Sequence, residues 1–253
     1  MPVLTAYGGI YLNYPEDLKS HSRISYENRI IPKLVSQLPS HSFYYQQYST
    51  DFKNWLPLKW LQYQQSTRYT YKISLDNNID SLRSSLKGNT RRNISNAEKE
   101  CTVSSISFEE YWFHLVNSYT ERGKTNPFNQ FALQNLYNSL TPLGKCELLS
   151  ISNTQTQEVL GGIFIVKDHL RCYYLSGFYY PKGEPKHSFS ALLWHVIAQC
   201  KLKEFDFEGS MIPDIEKFFR SFGGELIPHY KIWKINSLIL RLLFSIKKPS
   251  FLG

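Results

Sequence analysis

The stretch FDFEGSMIPDIEKFFRSFGGEL, Phe205 to Leu226, constrains this chain more than any other. Phe205, Asp206, Phe207 and Glu208 alternate ring and carboxylate. That is the period of a strand, with both acids on one face and both rings on the other. Gly209-Ser210 ends the strand, and Pro213 suits the first turn of a helix. Ile215, Phe218, Phe219 and Phe222 recur at helical spacing. Gly223-Gly224 supplies a stop where positive φ is cheap, and Leu226 to Ile235 reads as the next strand. This unit sets Asp206 and Glu208 at the carboxyl end of a strand, where α/β folds gather their chemistry.

The 253 residues suffice for one large domain or two small ones. The net charge of +8 favours anionic partners such as phosphates, nucleic acid or acidic lipid. Its densest local source is Arg83, Lys87, Arg91, Arg92 and Lys99 against Glu98 and Glu100, a surplus that a solvated basic face explains equally well. Cys101, Cys146, Cys172 and Cys200 are scattered, with no CxxC and no histidine at ligand spacing. That argues against a zinc site or a disulfide framework and fits a reducing cytoplasm. No basic region followed by an apolar run opens the chain, and no apolar run is long enough to cross a bilayer.

Taken in order, Val3 to Leu12 reads as a strand interrupted at Gly8-Gly9. Ile24 to Gln37 has helical spacing, with Ser22 as a candidate cap. Ser42 to Tyr48 is aromatic and strand-like, Pro57 interrupts a connection holding Trp55 and Trp60, and Thr67 to Leu75 alternates as a strand does. This β, α, β, β order predicts a partial domain over residues 1–77. Residues 80–100 read as a basic helix with Leu82, Leu86, Ile94 and Ala97 as thin apolar positions and a candidate break at Gly88-Asn89. Cys101 to Ile106 is a strand. Ser107 caps a helix running to Thr120, with Glu109 and Glu110 in its first turn, and Gln130 to Leu140 is a second helix. Lys145 to Ser152, Glu158 to Lys167 and Leu170 to Phe178 form an antiparallel meander with tight turns. A helix over Ser188 to Lys201 leads into the opening stretch.

From residue 101 the order is β, α, α, β, β, β, α, β, α, β, which is the order of the GNAT acyltransferase fold. It predicts an α/β (α+β) domain over 78–253, a mixed sheet flanked by helices, preceded by a partial second GNAT-like half. LRSSLKGNTRRNISNAEKE resembles the basic helix that opens the GNAT-like domain of the Fem family, the aminoacyl transferases that build peptidoglycan bridges. KHSFSALLWHVIAQCKLKEFDFEGS is similar to that group's helix-then-strand segment, and IEKFFRSFGGEL to its FKxxFGG element. MPVLTAYGGIYL and YQQSTRYTYKISL look like the first domain of the family's acetyltransferase-like relatives. Two departures stand out. Phe219 occupies the lysine position of FKxxFGG, with Lys217 and Arg220 on other helix faces, and the coiled-coil arm of the tRNA-dependent members is missing. Both weigh against charged tRNA as donor. The short first domain implies a shortened chain or a sheet completed by a partner, a homo-oligomer included.

The resemblance implies an N-acyltransferase that moves an acyl or aminoacyl group onto an amine by direct attack, with no enzyme nucleophile. Such chemistry needs a deprotonated amine, a positioned carbonyl and donors for the developing oxyanion. Glu208 is the candidate base, and Asp206 the group that orients the amine; each also reads as a strand-end carboxylate that caps a turn or pairs with Arg92, Asp206 more so than Glu208. Ser210 completes the candidate catalytic set, although EGSM lacks the G-x-S-x-G elbow of a serine nucleophile. The oxyanion donors fall on Leu175 to Phe178, around Gly177. Donor phosphates fall on Lys186, His187, Ser188 and Ser190, at a helix N-terminus, with Arg91 and Arg92 as further phosphate candidates. Acyl-coenzyme A and aminoacyl-tRNA are the candidate donors, although the Q/R-x-x-G-x-G/A loop of coenzyme A binders is absent; the chemistry itself requires no other cofactor and no metal. Tyr173, Tyr174, Tyr179 and Tyr180 line an acceptor groove or belong to the core. The tail, NSLILRLLFSIKKPSFLG, reads as a terminal helix packed on its own domain or on a partner, or as a surface for acidic lipid that would suit a lipid-linked acceptor. Two rival functions stand beside transfer: a non-catalytic module binding an anionic ligand or a protein, and a basic RNA-binding surface.

Overall fold

A computed structural model describes residues 4–76, 78–183, 185 and 187–246 of the chain. The helices are α1 (Arg23–Ser36), α2 (Leu56–Trp60), α3 (Ile79–Ser85), α4 (Gly88–Glu100), α5 (Phe108–Glu121), α6 (Gln130–Leu140), α7 (Ser188–Gln199), α8 (Pro213–Arg220) and α9 (Leu238–Ile246). The strands are β1 (Phe43–Gln47), β2 (Gln64–Ser74), β3 (Cys101–Ser105), β4 (Cys146–Asn153), β5 (Val159–Lys167), β6 (Arg171–Tyr179), β7 (Glu204–Asp206) and β8 (Glu225–Ile235). The described residues group into two compact units, one drawn from 1–69 and 227–253 and one from 70–226. The architecture is the expected mixed α/β sheet flanked by helices.

In the larger unit the strands lie in the order β2, β7, β6, β5, β4, β3. The meander of β4, β5 and β6 is antiparallel, and β6 pairs with β7 in parallel. The expected joining of the meander to the Asp206 strand is therefore present. Local chemistry explains why the elements start where they do. Ser107 Oγ accepts from the Glu110 backbone N–H at 3.2 Å and Glu110 Oε2 accepts from the Ser107 N–H at 3.3 Å, a reciprocal cap that opens α5. Asp168 Oδ1 accepts from the N–H groups of Leu170 and Arg171, 2.6 Å each, and this fixes the β5–β6 turn.

Both faces of this sheet are covered. On one, Ile94 and Ala97 of α4, Leu192, Leu193, Val196 and Ile197 of α7, and Phe219 of α8 bury Phe205 and Phe207. On the other, Tyr111 of α5 meets Phe164 and Phe178 at ring separations of 6.1 and 5.5 Å, and Tyr137 of α6 meets Phe164 at 6.1 Å. In the smaller unit β1 pairs antiparallel with β8 over Ile31, Tyr48, Phe52, Leu58, Tyr63 and Ile232.

Several local expectations are corrected. Residues 4–12 form no strand; Leu4 and Gly9 have φ of 65° and 89°, and only Gly8 bridges to Tyr48. Ser22 precedes α1 in helical conformation without capping it through its side chain, because a 3-10 turn over Ser20–Ser22 already leads in. Pro57 opens α2 near its first turn, where a missing N–H costs nothing, so it starts a helix within the connection. The basic helix is two helices. The chain is extended at Leu86 and Lys87, where Leu86 enters the core and Lys87 N–H donates to Ser221 O at 2.9 Å. In the tail, α9 leaves Leu238, Ile239, Leu242, Leu243 and Ile246 exposed, while Phe244 meets Phe43.

Candidate functional site

The parallel pairing of β6 with β7 covers only Arg171–Tyr173 against Glu204–Asp206. Beyond it β6 runs on to Tyr179 paired with β5 alone, while the chain leaving β7 turns away. The sheet therefore parts at Tyr173 and Asp206. A bulge sits at the same place: Phe164 opposes Ser176 and Ile165 opposes Tyr174, so Leu175 is the extra residue. The bulge exchanges the faces of β6. Tyr174 packs with the core on the α7 side, whereas Ser176 Oγ meets Tyr111 Oη at 2.9 Å on the α5 side. Gly177 is required by crowding on the α7 side, since a Cβ there would lie 2.7 Å from Tyr174 Oη and 2.9 Å from Phe189 Cζ.

The strand carrying the acids is shorter than its alternation predicts. It ends at Asp206, and Glu208 and Gly209 both take left-handed conformations, with φ of 55° and 72°. A non-glycine residue held there is strained, which calls for something that fixes it. Asp206 does so. It is fully buried, and its Oδ1 accepts from the Glu208 N–H at 2.8 Å and from Thr70 Oγ1 at 2.7 Å. Lys72 Nζ lies 3.8 Å from Asp206 Oδ2 and 3.2 Å from Glu204 Oε2, and Arg171 Nε donates to the same Glu204 oxygen at 2.6 Å. Burial alone would raise the Glu204 pKa; Arg171 and Lys72 outweigh it and hold the carboxyl below its ordinary value. The two acids thus do not share an exposed strand face. Asp206 belongs to a network with buried Thr70 and Lys72 and half-buried Glu204, and Glu208 sits half-buried in the turn that network holds.

Glu208 is the perturbed acid. Burial first, and the charge of Asp206 second, push its pKa up to about 8. A carboxyl tuned there exchanges a proton near neutral pH, as a general base must. Near it, Tyr174 is held well above the usual phenol value chiefly by burial, with the charge of Arg122 lowering it and that of Glu208 raising it.

The remaining expected residues divide. Ser210 Oγ accepts from the Ile212 N–H at 3.1 Å, which makes it the cap of the turn into α8 and leaves no base beside it among its hydrogen bonds. His187 precedes α7 with φ of 66°, Ser188 and Ser190 are buried in the first turn, and no acidic residue occupies that turn. The first N–H groups of such a helix lack partners within it, which suits an anionic group, although that of Ser190 already donates to His187 O at 2.9 Å. Lys186 lies outside the described residues. Arg91 and Arg92 are exposed on α4; Arg91 donates to Ser84 O at 3.3 Å, and Arg92 forms no ion pair among the described residues, so it does not pair with either acid. Phe219, at the lysine position of the FKxxFGG element, is buried against Phe207 and Tyr174, with ring separations of 4.9 and 5.7 Å. Thr70 and Lys72 escaped the sequence reading. Their alternation in TRYTYKISL was visible, but the register that sets Lys72 opposite Asp206 and brings Thr70 Oγ1 to it is not local. Arg122 escaped as well, although Tyr119 three residues earlier on α5 marked that face.

Among the described residues no three His, Cys, Asp or Glu side chains are grouped to hold a metal ion, and no helix is long and apolar enough to cross a membrane. Residues 81–218 match the family model described as an acetyltransferase (GNAT) domain. A search of the curated proteins finds no match by sequence. Among solved structures, FemX superposes with a TM-score of 0.67 at 14% identity, covering 91% of this chain and 80% of its own. L-PGS from Bacillus licheniformis superposes at 0.54 and 14% identity, covering 90% of this chain and 78% of its own. At these identities the likeness is one of fold.

Proposed function

The chain belongs to the family of GNAT acetyltransferase domains, and from that premise we propose that it is an N-acyltransferase with Glu208 as general base. The observation that carries the reading is the parting of β6 from β7, with the Leu175 bulge on one side and the strained Glu208 turn on the other. In this reading the acceptor arrives as an ammonium and Glu208 takes its proton, directly or through one water. The freed nitrogen attacks the donor carbonyl. A carbon–nitrogen bond forms, and the bond from carbon to the donor's sulfur or oxygen breaks. Backbone N–H groups around the bulge stabilise the oxyanion, and the leaving group departs with a proton. Asp206 acts as a positioning residue, holding the Glu208 backbone and raising the base's pKa.

An acyl-coenzyme A thioester is the donor this reading favours. The N-terminus of α7, free of acidic residues in its first turn, suits the donor's phosphates. Phe219, buried at the position where the tRNA-dependent relatives are expected to carry a lysine, speaks against charged tRNA. The test is to incubate the purified chain with acetyl-coenzyme A, or with charged tRNA, and a panel of amines, and to detect N-acylated product by mass spectrometry. Glu208→Gln is expected to lower kcat/KM by about 10²–10⁴-fold while the far-ultraviolet spectrum stays that of the parent. Equal turnover by Glu208→Gln would remove Glu208 from the base role. Absence of product with either donor would leave the family's fold serving as a binding module.

A further inference from the structure

We propose that Arg122 is the specificity residue on the acceptor side, and that the acceptor is an amine carrying its own anionic group, a carboxylate or a phosphate. The proposal rests on the transfer reading and names its substrate class.

Arg122 follows the last turn of α5. Its guanidinium carbon lies 4.6 Å from the centroid of the Tyr119 ring and 4.7 Å from that of Tyr179, near the end of β6. The Nε donates to Ser118 O at 2.8 Å and one terminal nitrogen to Ser118 Oγ at 3.2 Å. The other terminal nitrogen has no hydrogen bond, and no carboxylate pairs with Arg122, among the described residues. A helix-terminal cation that only favours its own dipole can remain in water. This one is half-buried, oriented by two rings and one serine, and lacks a counter-ion.

The rings connect it to the candidate site. Tyr179 lies 6.2 Å from Phe189, in the first turn of α7, and Phe189 lies 6.3 Å from Tyr174. The Tyr174 hydroxyl feels both the charge of Arg122 and that of Glu208. The guanidinium therefore stands on the side of β6 where the sheet parts, in the neighbourhood of the base. A flat fork, oriented in advance and with an open donor edge, fits a carboxylate or phosphate better than any neutral group. An amine lacking the acid would leave that half-buried charge uncompensated, which is the larger source of discrimination.

The full-length chain is titrated with γ-aminobutyrate, phosphoethanolamine and butylamine while the arginine Nε–H resonances are followed by NMR, that of Arg122 being identified by its loss in Arg122→Lys. Transfer from acetyl-coenzyme A to the same amines is measured for the parent, Arg122→Lys and Arg122→Met. The expected result is movement of the Arg122 resonance with the two acid-bearing amines and not with butylamine. In the kinetics, Arg122→Met is expected to raise KM about tenfold or more for the acid-bearing amines, with kcat within about twofold and butylamine unaffected; Arg122→Lys should retain part of the preference. Whichever anion binds tighter identifies the group. An equal rise in KM for all three amines would make Arg122 a purely structural residue, and unchanged kinetics would remove it from the site; either overturns the proposal. If no amine is acylated but the resonance still moves with the acid-bearing amines alone, anion recognition stands and the transfer reading falls. If neither occurs, both fall. Thermal melts of the variants show whether a loss reflects unfolding.

Discussion

Glu208 combines a strained backbone with a carboxyl whose pKa is pushed to about 8, and the two features share a cause in Asp206. Asp206 accepts the Glu208 N–H and so keeps it in the left-handed region; its negative charge is also the second contributor to the raised pKa. In the proposed mechanism the carboxylate is the active form, so activity should grow with pH. Below about 8, kcat/KM is expected to fall roughly tenfold per unit as Glu208 takes up its proton. Asp206→Asn removes the charge while nearly keeping the shape. It should move the midpoint of that profile downward, though not to the ordinary carboxyl value, because burial is the larger cause. It should destabilise the fold only modestly, by about 1–2 kcal/mol, since Lys72 keeps Glu204 Oε2 at 3.2 Å as its counter-ion. A pH–rate profile of Asp206→Asn with an unmoved midpoint would show that Asp206 does not tune the base.

At the scale of elements, the double glycine after α8 shows what a sequence makes legible. Gly223 has φ of 77°, and a Cβ there would meet Ser85 O and Oγ at 2.7 Å; at Gly224 it would meet Lys72 O at 2.8 Å. The stop after the Ile215–Phe222 stripe was readable because helix termination is local chemistry. The closeness of α3 to Gly223 and of β2 to Gly224 was not readable, because those partners lie more than a hundred residues earlier. The same division holds elsewhere. The strands of the meander and the cap of α5 follow from period and from Ser107 and Glu110, whereas the end of β7 at Asp206 follows from Thr70 and Lys72 on a neighbouring strand. The alternation Phe205–Glu208 extended the strand two residues too far for this reason. Gly223→Ala and Gly224→Ala should each cost about 2–4 kcal/mol, the first through strain and contact together, the second through contact alone. Thermal denaturation measures both. If Gly224→Ala melts with the parent, the approach of Lys72 to α8's exit is looser than described.

For the molecule as a whole, the same titrations set a dependence of stability on pH that opposes the dependence of activity. Asp168 and Glu204 both have depressed values: burial would raise them, but hydrogen bonds from Leu170, Tyr173 and Arg171 outweigh it at Asp168, and Arg171 with Lys72 outweighs it at Glu204. Each contributes stability that is present above its unfolded value and is lost as pH falls through the folded one. Glu208 has the opposite sign. Its folded value of about 8 exceeds the ordinary 4.5, so the folded state holds a proton that the unfolded chain has already released. Stability therefore declines as pH rises from about 4.5 to about 8 and levels off above that. For these three groups taken together, stability is greater where Glu208 is still protonated than where it is ionised. Glu208→Gln abolishes only the alkaline decline. It should melt higher than the parent at pH 8.5, by a difference on the order of 1–3 kcal/mol after allowing for partial exposure, and nearly with the parent at pH 4. A carboxyl that is costly to bury and stabilising to neutralise fits the base role proposed for Glu208. A Glu208→Gln protein that melts with the parent at both pH values would show that the charge is not held at a cost, and the case for tuning at this position would lose its thermodynamic half.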